Sequence, residues 1–262
     1  MLASRYAATI ILPFLSRGLI MGSISPPRKP RLPERFAAHG IHERHRHRAG
    51  YLSIVLEGQE IEAGDEGRRL ASPGDVLMHF PFDCHCNYVG SKSLSVLCLP
   101  LPMGSIAPSS GVVADVDTIV AIAERDGLCA SECAIRHTKP SNNRLLDWPD
   151  LLAEDLRSGE SFRLADWADA KGLAPETVSR GFRRIYGTSP ARFRVELRAR
   201  RAWTSIVHSD DSLANIALNT GFADQAHMSR SVATMTGRSP KLWRQIVGAR
   251  SSIPERRVDP AI

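Results

Sequence analysis

The chain has 262 residues, with 34 lysines and arginines against 28 aspartates and glutamates, a formal net charge of +6 and 43% hydrophobic residues. This length provides for two ordinary domains, and the hydrophobic content is that of a soluble globular protein rather than of a disordered chain. The positive charge permits attraction to nucleic acid. Five cysteines without a framework spacing argue against a disulfide-stapled secreted domain and predict a cytoplasmic protein.

The first 33 residues differ in composition from the rest of the chain. Residues 7–21 are apolar overall, but Pro13 and Arg17 interrupt them, and the stretch is too short to span a membrane. No clean small-residue cleavage site follows it, and residues 23–33 are rich in proline and arginine. We therefore expect residues 1–33 to be disordered, or translation to begin at Met21, and we expect no membrane association.

Residues 34–110 have the pattern of short β-strands. Residues 51–56 are rich in strand-forming side chains, residues 72–75 read Ser-Pro-Gly-Asp, which favours a turn, and residues 93–99 alternate into a last strand. Short strands with frequent turns predict a small β-barrel of the α+β class. Inward-facing side chains of residues 51–56 and 76–80 would then line any pocket.

Residues 111–159 connect this region to the rest of the chain. Apolar side chains recur at helical spacing in residues 115–125, and residues 148–156 form a second candidate helix. These helices either join two copies of the chain in a homodimer or pack on their own domain, and the pattern does not separate the two. Residues 136–144 are expected to form an exposed loop, and the domain linker is expected near residues 158–160.

A passage that occurs twice dominates the last hundred residues. A Ser-Arg pair is followed seven residues later by Gly-x-Ser-Pro, and an alanine with a glycine four residues on precedes each copy. A helix that packs closely under another needs a small side chain at the crossing, and the sharp turn between them needs a residue that tolerates positive φ. The passage therefore predicts two helix-turn-helix units. The residues concerned are Ala168, Gly172, Ser179, Arg180 and residues 187–190 in the first copy, and Ala217, Gly221, Ser229, Arg230 and residues 237–240 in the second.

In the first unit, residues 162–171 predict one helix and Pro175 begins a second that continues to about residue 186. Its predicted buried stripe is Val178, Phe182 and Ile185, which leaves a polar and basic face outward. An outward face of this chemistry suits DNA. The predicted DNA-binding residues of this face are Glu176, Thr177, Ser179, Arg180, Arg183 and Arg184.

In the second unit, Asp224 is the predicted N-cap of the outer helix, with Met228 and Val232 buried. Its predicted DNA-binding residues are Gln225, His227 and Arg230. Residues 189–208 predict a helix between the two units, and about 19 residues at ~1.5 Å each give a rod of ~28 Å. That length is close to the ~34 Å of one DNA turn, so one chain could fill two successive major grooves.

Residues 160–248 resemble the DNA-binding domain of the AraC/XylS family of bacterial transcription regulators. The resemblance rests on residues 175–184, the Gly-x-Ser-Pro that follows, and residues 216–222 with Asp224 and Gln225 behind them. It implies an all-α domain with two helix-turn-helix units joined by a linker helix, promoter DNA and RNA polymerase as partners, and activation more often than repression. Residues 249–262 are expected to be a disordered tail.

The sequence departs from the family pattern at four positions. The family usually has a serine at position 174, aromatic residues at positions 228 and 232, and a basic residue at position 233. This chain has Ala174, Met228, Val232 and Ala233. We therefore expect the second outer helix to pack less tightly, to be less cationic and to contribute less affinity than the first.

The predicted barrel resembles the cupin-like sensor domain that precedes the DNA-binding domain in many members of this family. The resemblance rests on His45-x-His47, Gly58, residues 73–75, Pro81 and His85. It implies that the barrel takes a small-molecule effector, whose identity the sequence does not give. The resemblance also allows that the barrel binds a metal ion. Cupins with a metal use two histidines spaced by one residue, a third histidine and a carboxylate.

His45, His47 and His85 fit the metal positions, but Tyr51 stands where the carboxylate is expected. His79, Cys84 and Cys86 offer substitutes. The basic run of residues 42–48 could equally be a solvated strand edge, and the cysteines could be ordinary packing, so the expected state is no cofactor with a divalent metal as the alternative.

Two other functions compete with the regulator. A nonspecific architectural DNA binder would contact phosphates alone. A metal-dependent cupin enzyme lacks the expected carboxylate, and the sequence has no nucleophile elbow or phosphate loop, so no catalytic residue is assigned and the chain is not expected to be an enzyme.

Overall fold

The computed structural model describes residues 32–102 and 108–251, with side chains up to residue 248. Predictions for residues 1–31 and 252–262 lie outside the described residues. The strands are β1 (Glu34–Phe36), β2 (Ile41–Arg46), β3 (Tyr51–Glu57), β4 (Glu60–Gly64), β5 (Gly67–Ala71), β6 (Asp75–His79), β7 (Cys84–Val89), β8 (Leu94–Pro100) and β9 (Ser110–Val112). The helices are α1 (Val116–Ala123), α2 (Gly127–His137), α3 (Trp148–Ser158), α4 (Leu164–Ala170), α5 (Pro175–Tyr186), α6 (Pro190–His208), α7 (Leu213–Asn219), α8 (Gln225–Thr236) and α9 (Pro240–Ser251).

The strands form two antiparallel sheets rather than the closed barrel that the sequence predicted. Sheet A has the order β1-β8-β3-β6-β9, and sheet B has the order β2-β7-β4-β5. No ladder joins the two sheets within the described residues, so they pack face to face as a sandwich. The strand predicted over residues 51–56 is confirmed within β3, and that over residues 93–99 is confirmed as β8, shifted by one residue.

The interior between the sheets has an apolar end and a polar end. Val55 and Leu77 of sheet A pack against Ala71 and Val89 of sheet B at the apolar end. Glutamate, histidine and tyrosine side chains occupy the polar end. Because strands alternate, the next residues along β3 and β6 face the other side of sheet A, where they meet helices α1 and α2. Residues 51–56 and 76–80 therefore line the interior only at alternate positions.

Helices α1 and α2 cover the outer face of sheet A with Ile119, Ala123, Ala130 and Ala134. The buried face of α1 packs on its own domain, which is one of the two alternatives left open by the sequence, whereas α3, the second predicted helix, packs Leu152 and Leu156 against the C-terminal helices. The sequence pattern missed α2, and it placed residues 136–144 in an exposed loop. Residues 138–144 do form a loop with most positions exposed, and two of them pair with strands, since Lys139 bridges to Val112 and the Asn143 carbonyl accepts from the Leu70 amide.

The C-terminal helices form two pairs joined by one long helix. Helices α4 and α5 are joined through Gly172 at φ +66°, and α7 and α8 through Gly221 at φ +77°, the conformation that the sequence expected of these glycines. Phe193 and Leu197 of α6 pack into the first pair, whereas Trp203 and Ile206 pack into the second. The predicted helix between the pairs is confirmed as α6, and α9 extends three residues past the predicted end of the helical region.

The buried stripe of α5 differs from the predicted one at its last position. Val178 and Phe182 are buried, but Tyr186 rather than Ile185 completes the stripe. The Tyr186 hydroxyl donates a hydrogen bond of 2.9 Å to Asp150 in α3. The buried residues of α5 are thus four positions apart, which places all three against α3 and α6. This packing between helices decides the stripe, rather than the spacing of four and then three that the sequence predicted.

Candidate nucleic-acid interface and histidine cluster

Helix α5 directs its polar face to solvent. Its buried residues recur every four positions, so the remaining side chains point away from the core. Gly181 lies against α3, where a Cβ would come within 2.4 Å of the Trp148 ring. Of the six DNA-binding residues predicted on this helix, Ser179 is half-buried and the other five are exposed: Glu176, Thr177, Arg180, Arg183 and Arg184.

Helix α8 presents a smaller polar face. Gln225 and Arg230 are exposed, while His227 is half-buried and packs its ring edge-on at 5.1 Å from Phe222. The Asp224 carboxylate accepts a 2.7 Å hydrogen bond from the His227 amide, which confirms the predicted N-cap. Met228 and Val232 are both fully buried, as the sequence predicts, and the expected looser packing of this helix stays a prediction.

The arginines between residues 180 and 201 divide by helix. Those of α5 are exposed, whereas several on α6 are engaged within the protein. Arg194 stacks over the Phe162 ring at 4.6 Å, Arg201 donates to the Arg157 carbonyl, and Arg198 lies beside Gly221.

The N-terminus of α5 has no side-chain cap. Ala174 has N-cap backbone angles, φ −69° and ψ 138°, but offers no hydrogen bond to the first turn. Ser189 holds the same position before α6, and its hydroxyl accepts from the Arg192 amide at 3.3 Å. The Ala174→Ser variant is therefore expected to gain about 1 kcal/mol of unfolding free energy.

Urea unfolding followed by circular dichroism would measure that gain. The matched control is Ser189→Ala, which should lose a similar amount. A destabilised Ala174→Ser protein would mean that the hydroxyl cannot reach the first turn of α5.

Sheet B packs its outer face against the C-terminal helices. Arg44 in β2 forms ion pairs with Asp65 at 2.7 Å and with Glu196 of α6 at 3.0 Å, and Arg46 reaches Glu196 at 3.5 Å. Because β2 alternates, His45 between these arginines points the other way, into the sandwich. One strand therefore contacts the interior with one set of side chains and α6 with the other.

Sheet B also contacts the C-terminal ends of α5 and α8. The Tyr88 hydroxyl donates to the Arg184 carbonyl at 2.9 Å, and the Cys86 thiol to the Ile185 carbonyl at 3.5 Å. Arg46 donates to the Met235 carbonyl at the end of α8 at 3.4 Å. We call Arg44, Arg46, Cys86 and Tyr88 the docking face.

The segment between β6 and β7 makes a second contact with α6. Arg200 of α6 is paired with Asp83 and lies 3.5 Å from Glu66. Burial raises the pKa of the Asp83 carboxyl to about 7, although Arg200 opposes the rise. Next to this pair, Phe82 at φ +64° packs its ring edge-on against Trp203 and Trp243, with centroid distances of 4.8 and 6.1 Å.

The structure brings the predicted metal residues together. His45 in β2, His47 just after it and His85 in β7 have ligand atoms within 4.8 Å of one another. Tyr51, at the expected carboxylate position, instead hydrogen-bonds to the His85 Nε2 atom at 3.2 Å. Cys84 and Cys86 are not substitutes, since their thiols meet Arg46 and the Ile185 carbonyl on the outer face.

A second group shares His85, and the sequence identified only part of it. Glu62 in β4, His79 in β6 and His85 have ligand atoms within 4.8 Å of one another, and all three are buried. Sequence reasoning named His79 as a substitute but missed Glu62. The signal was present in β4, where two glutamates at alternate positions, Glu60 and Glu62, stand in a strand that is otherwise apolar.

Burial controls the charge of this cluster. It raises the pKa of Glu62 to about 8, lowers the pKa of His79 to about 3, and lowers the pKa of His85. At neutral pH the histidines are therefore neutral and Glu62 is mostly protonated. Asn87 donates to Glu60 at 3.0 Å and to Glu62 at 3.3 Å. The His85 Nδ1 atom is buried without a hydrogen-bond partner.

Comparison with known proteins bears on the C-terminal helices. Residues 167–246 match the family model described as a helix-turn-helix domain. The chain is 37% identical over 103 residues to the HTH-type transcriptional activator RhaS of Escherichia fergusonii, which covers 39% of this chain and 35% of that protein. It is 27% identical over 157 residues to the transcriptional activator NphR of a Rhodococcus species, which covers 60% of this chain and 45% of that protein.

A third relative is the bifunctional transcriptional activator/DNA repair enzyme AdaA of Bacillus subtilis. The identity is 23% over 159 residues, which covers 59% of this chain and 72% of that protein. The chain thus spans about a third of the length of RhaS and under half of NphR. Among the described residues, none of the helices combines the length and the apolar character needed to cross a membrane.

Proposed function

We propose that this chain, whose C-terminal helix-turn-helix domain belongs to the AraC/XylS family, is a sequence-specific DNA-binding transcription regulator that activates its target promoters. The observation that carries the proposal is the exposed polar face of α5, which lies inside the matched domain and holds Arg180, Arg183 and Arg184. Neighbouring arginines of α6 are engaged within the protein. The exposed arginines of α5 are therefore available to meet a DNA ligand.

The two helix pairs act as two helix-turn-helix units in this proposal. Helices α5 and α8 enter successive major grooves, and α6 sets their separation. The 19 residues of α6 give a rod of about 28 Å, close to the ~34 Å between grooves on one face of DNA. Helix α5 contributes most of the affinity, because α8 has Arg230 as its only arginine.

Residues of the two polar faces have different roles. Glu176, Thr177, Ser179 and Arg180 lie in the first half of α5, which is the part of a recognition helix that reaches base edges. Arg183 and Arg184 lie further along, where phosphate contact is expected. On α8, Gln225 and His227 contact bases and Arg230 contacts either bases or phosphate.

The N-terminal sandwich senses the signal. We assign residues 34–110 to a cupin-like effector-sensing domain, residues 111–159 to linking or homodimer formation, and residues 160–248 to DNA binding. A small-molecule effector in the sandwich would act on the DNA-binding helices through the docking face. RNA polymerase is the expected partner at the promoter, and the cytoplasm the expected location. The chain acts without catalysis in this proposal.

Mapping of DNA sites in cells, followed by competition binding in vitro, tests the proposal. A regulator should enrich discrete promoter sites and prefer such a fragment over random DNA by at least about 10³-fold. Equal binding to promoter and random DNA would favour the architectural alternative. Absence of enrichment over input together with no binding in vitro would reject both.

A further inference from the structure

We propose that the polar end of the sandwich holds one divalent transition-metal ion, bound by Glu62, His79 and His85. The three residues come from β4, β6 and β7, so the site joins sheet A to sheet B. Their ligand atoms lie within 4.8 Å of one another, and all three residues are buried. Bonds of about 2.0–2.2 Å to a common centre need only small side-chain movements from that arrangement.

The His85 ring is incompletely satisfied without an ion. The residue is 3% exposed, and its Nδ1 atom has no hydrogen-bond partner while its Nε2 atom faces the Tyr51 hydroxyl. A buried ring nitrogen left unpaired is unfavourable, and such groups in native proteins normally have a ligand. A metal ion next to the ring would supply the missing partner.

Glu62 and His85 each have a polar neighbour that orients them. Asn87 donates to Glu62 at 3.3 Å, whereas Ser53 contacts the same His79 Nε2 atom that lies 3.5 Å from the Glu62 carboxylate. The Tyr51 hydroxyl contacts His85, and its ring stacks on His79 with a centroid distance of 4.2 Å. Outer partners of this kind fix ring orientation in metal sites.

The donor set selects the class of ion. Two imidazoles and one carboxylate suit Zn²⁺, Fe²⁺, Mn²⁺, Co²⁺ or Ni²⁺, whereas Ca²⁺ and Mg²⁺ prefer a shell of oxygen atoms. Three protein ligands leave coordination positions open, so a water molecule or an anionic effector could complete the shell. The proposal thereby deepens the sensing role of the sandwich, and in that respect it rests on the proposed function.

His45 and His47 form an outer group that shares His85. The His45 Nδ1 atom lies 2.7 Å from the Glu43 carbonyl, and the His45 ring packs 4.4 Å from His85. One ion cannot use both groups, because they are joined only through His85. We place the ion in the inner group, which supplies a carboxylate and full burial, and assign the outer pair to its entry path.

Metal titration of the untagged full chain tests the assignment. Protein stripped with a chelator is dialysed against Zn²⁺ and Co²⁺ separately, and bound metal is measured by elemental analysis. The expected result is one ion per chain. Glu62→Gln and His79→Asn, which nearly preserve side-chain volume, should each weaken binding at least 100-fold. His47→Ala is the matched control and should bind within 3-fold of the wild type.

Two results would overturn the inner site. Sub-stoichiometric metal in the wild type would remove it, and so would loss of binding in His47→Ala with binding retained in Glu62→Gln, which would move the ion to the outer group. The visible spectrum of the Co²⁺-loaded wild type adds a readout that does not need a variant to fold. DNA binding by the metal-free protein is measured in parallel, so that failure of the metal site is distinguished from failure of the regulator proposal.

Discussion

Replacement of Arg180 by alanine is expected to weaken binding to a specific promoter fragment by about 10- to 100-fold, which corresponds to about 1–3 kcal/mol for the loss of a contact to a base. Arg230→Ala is expected to cost less than about 10-fold. Both side chains are exposed on their helices, but Arg180 belongs to a face with two further exposed arginines, whereas Arg230 is the one arginine of α8. Fluorescence anisotropy with a labelled promoter fragment measures both losses.

Arg192→Ala is the matched control for these variants. Arg192 is an exposed arginine of α6 that pairs with Glu196 at 3.0 Å. Its replacement should leave DNA affinity nearly unchanged. Repeating the titrations from 50 to 200 mM salt separates phosphate contacts from base contacts. Each lost phosphate contact lowers the slope of log affinity against log salt concentration by about 0.9 on duplex DNA. Equal losses in Arg180→Ala and Arg230→Ala would contradict the ranking of the two helices.

The helical part of the fold could be predicted from sequence because its signals are local. Asp224 was assigned as an N-cap and accepts from the amide three residues on, and Ser189 does the same for α6. Gly172 and Gly221 were assigned to turns from their spacing alone and have positive φ. Caps, turns and helical spacing depend on residues within about four positions of one another, so a single sequence contains them.

The N-terminal sandwich was harder to predict because its contacts are distant in sequence. Strand formers identified β3 and β8, but whether strands close into a barrel depends on which edges pair, and no local pattern fixes that. Glu62 meets His79 and His85 only after three strands have been assembled. Helix α2 was missed because its cysteines, serine and initial glycine are weak helix signals, and its packing on sheet A compensates.

The contact between sheet B and the helices was also absent from the sequence interpretation. Arg44 and Glu196 are 152 residues apart in the chain. The basic run of residues 42–48 was interpreted either as metal ligands or as a solvated edge, and the structure divides it by strand alternation. His45 faces His85 inside the sandwich, while Arg44 and Arg46 belong to the docking face. Residues 42–48 therefore contribute to both faces of sheet B, and only the three-dimensional arrangement shows which residue belongs to which face.

Phe82→Ala is expected to be the most destabilising single change in the contact between the sandwich and the helices. Phe82 is 3% exposed, and its ring lies among the aromatic side chains of Trp203 and Trp243. Removing a buried phenyl ring costs about 3–5 kcal/mol, partly because the surrounding core cannot close the cavity. The Phe82 backbone has φ +64°, a strained conformation for a residue with a side chain, so the packing of the ring compensates for that strain.

Urea unfolding measures this loss, with Leu146→Ala as the control. Leu146 is 73% exposed, so its truncation should change the unfolding free energy by less than about 0.5 kcal/mol. The Phe82→Ala protein should also unfold in two steps, because the helical region and the sandwich lose their shared core, whereas the wild type should unfold in one. Since α5 and α8 keep their own buried stripes, the variant should still bind DNA below its first transition. A Phe82→Ala protein as stable as Leu146→Ala would mean that the two regions fold without this contact, and that the docking face and the ion pairs of Arg200 hold them together.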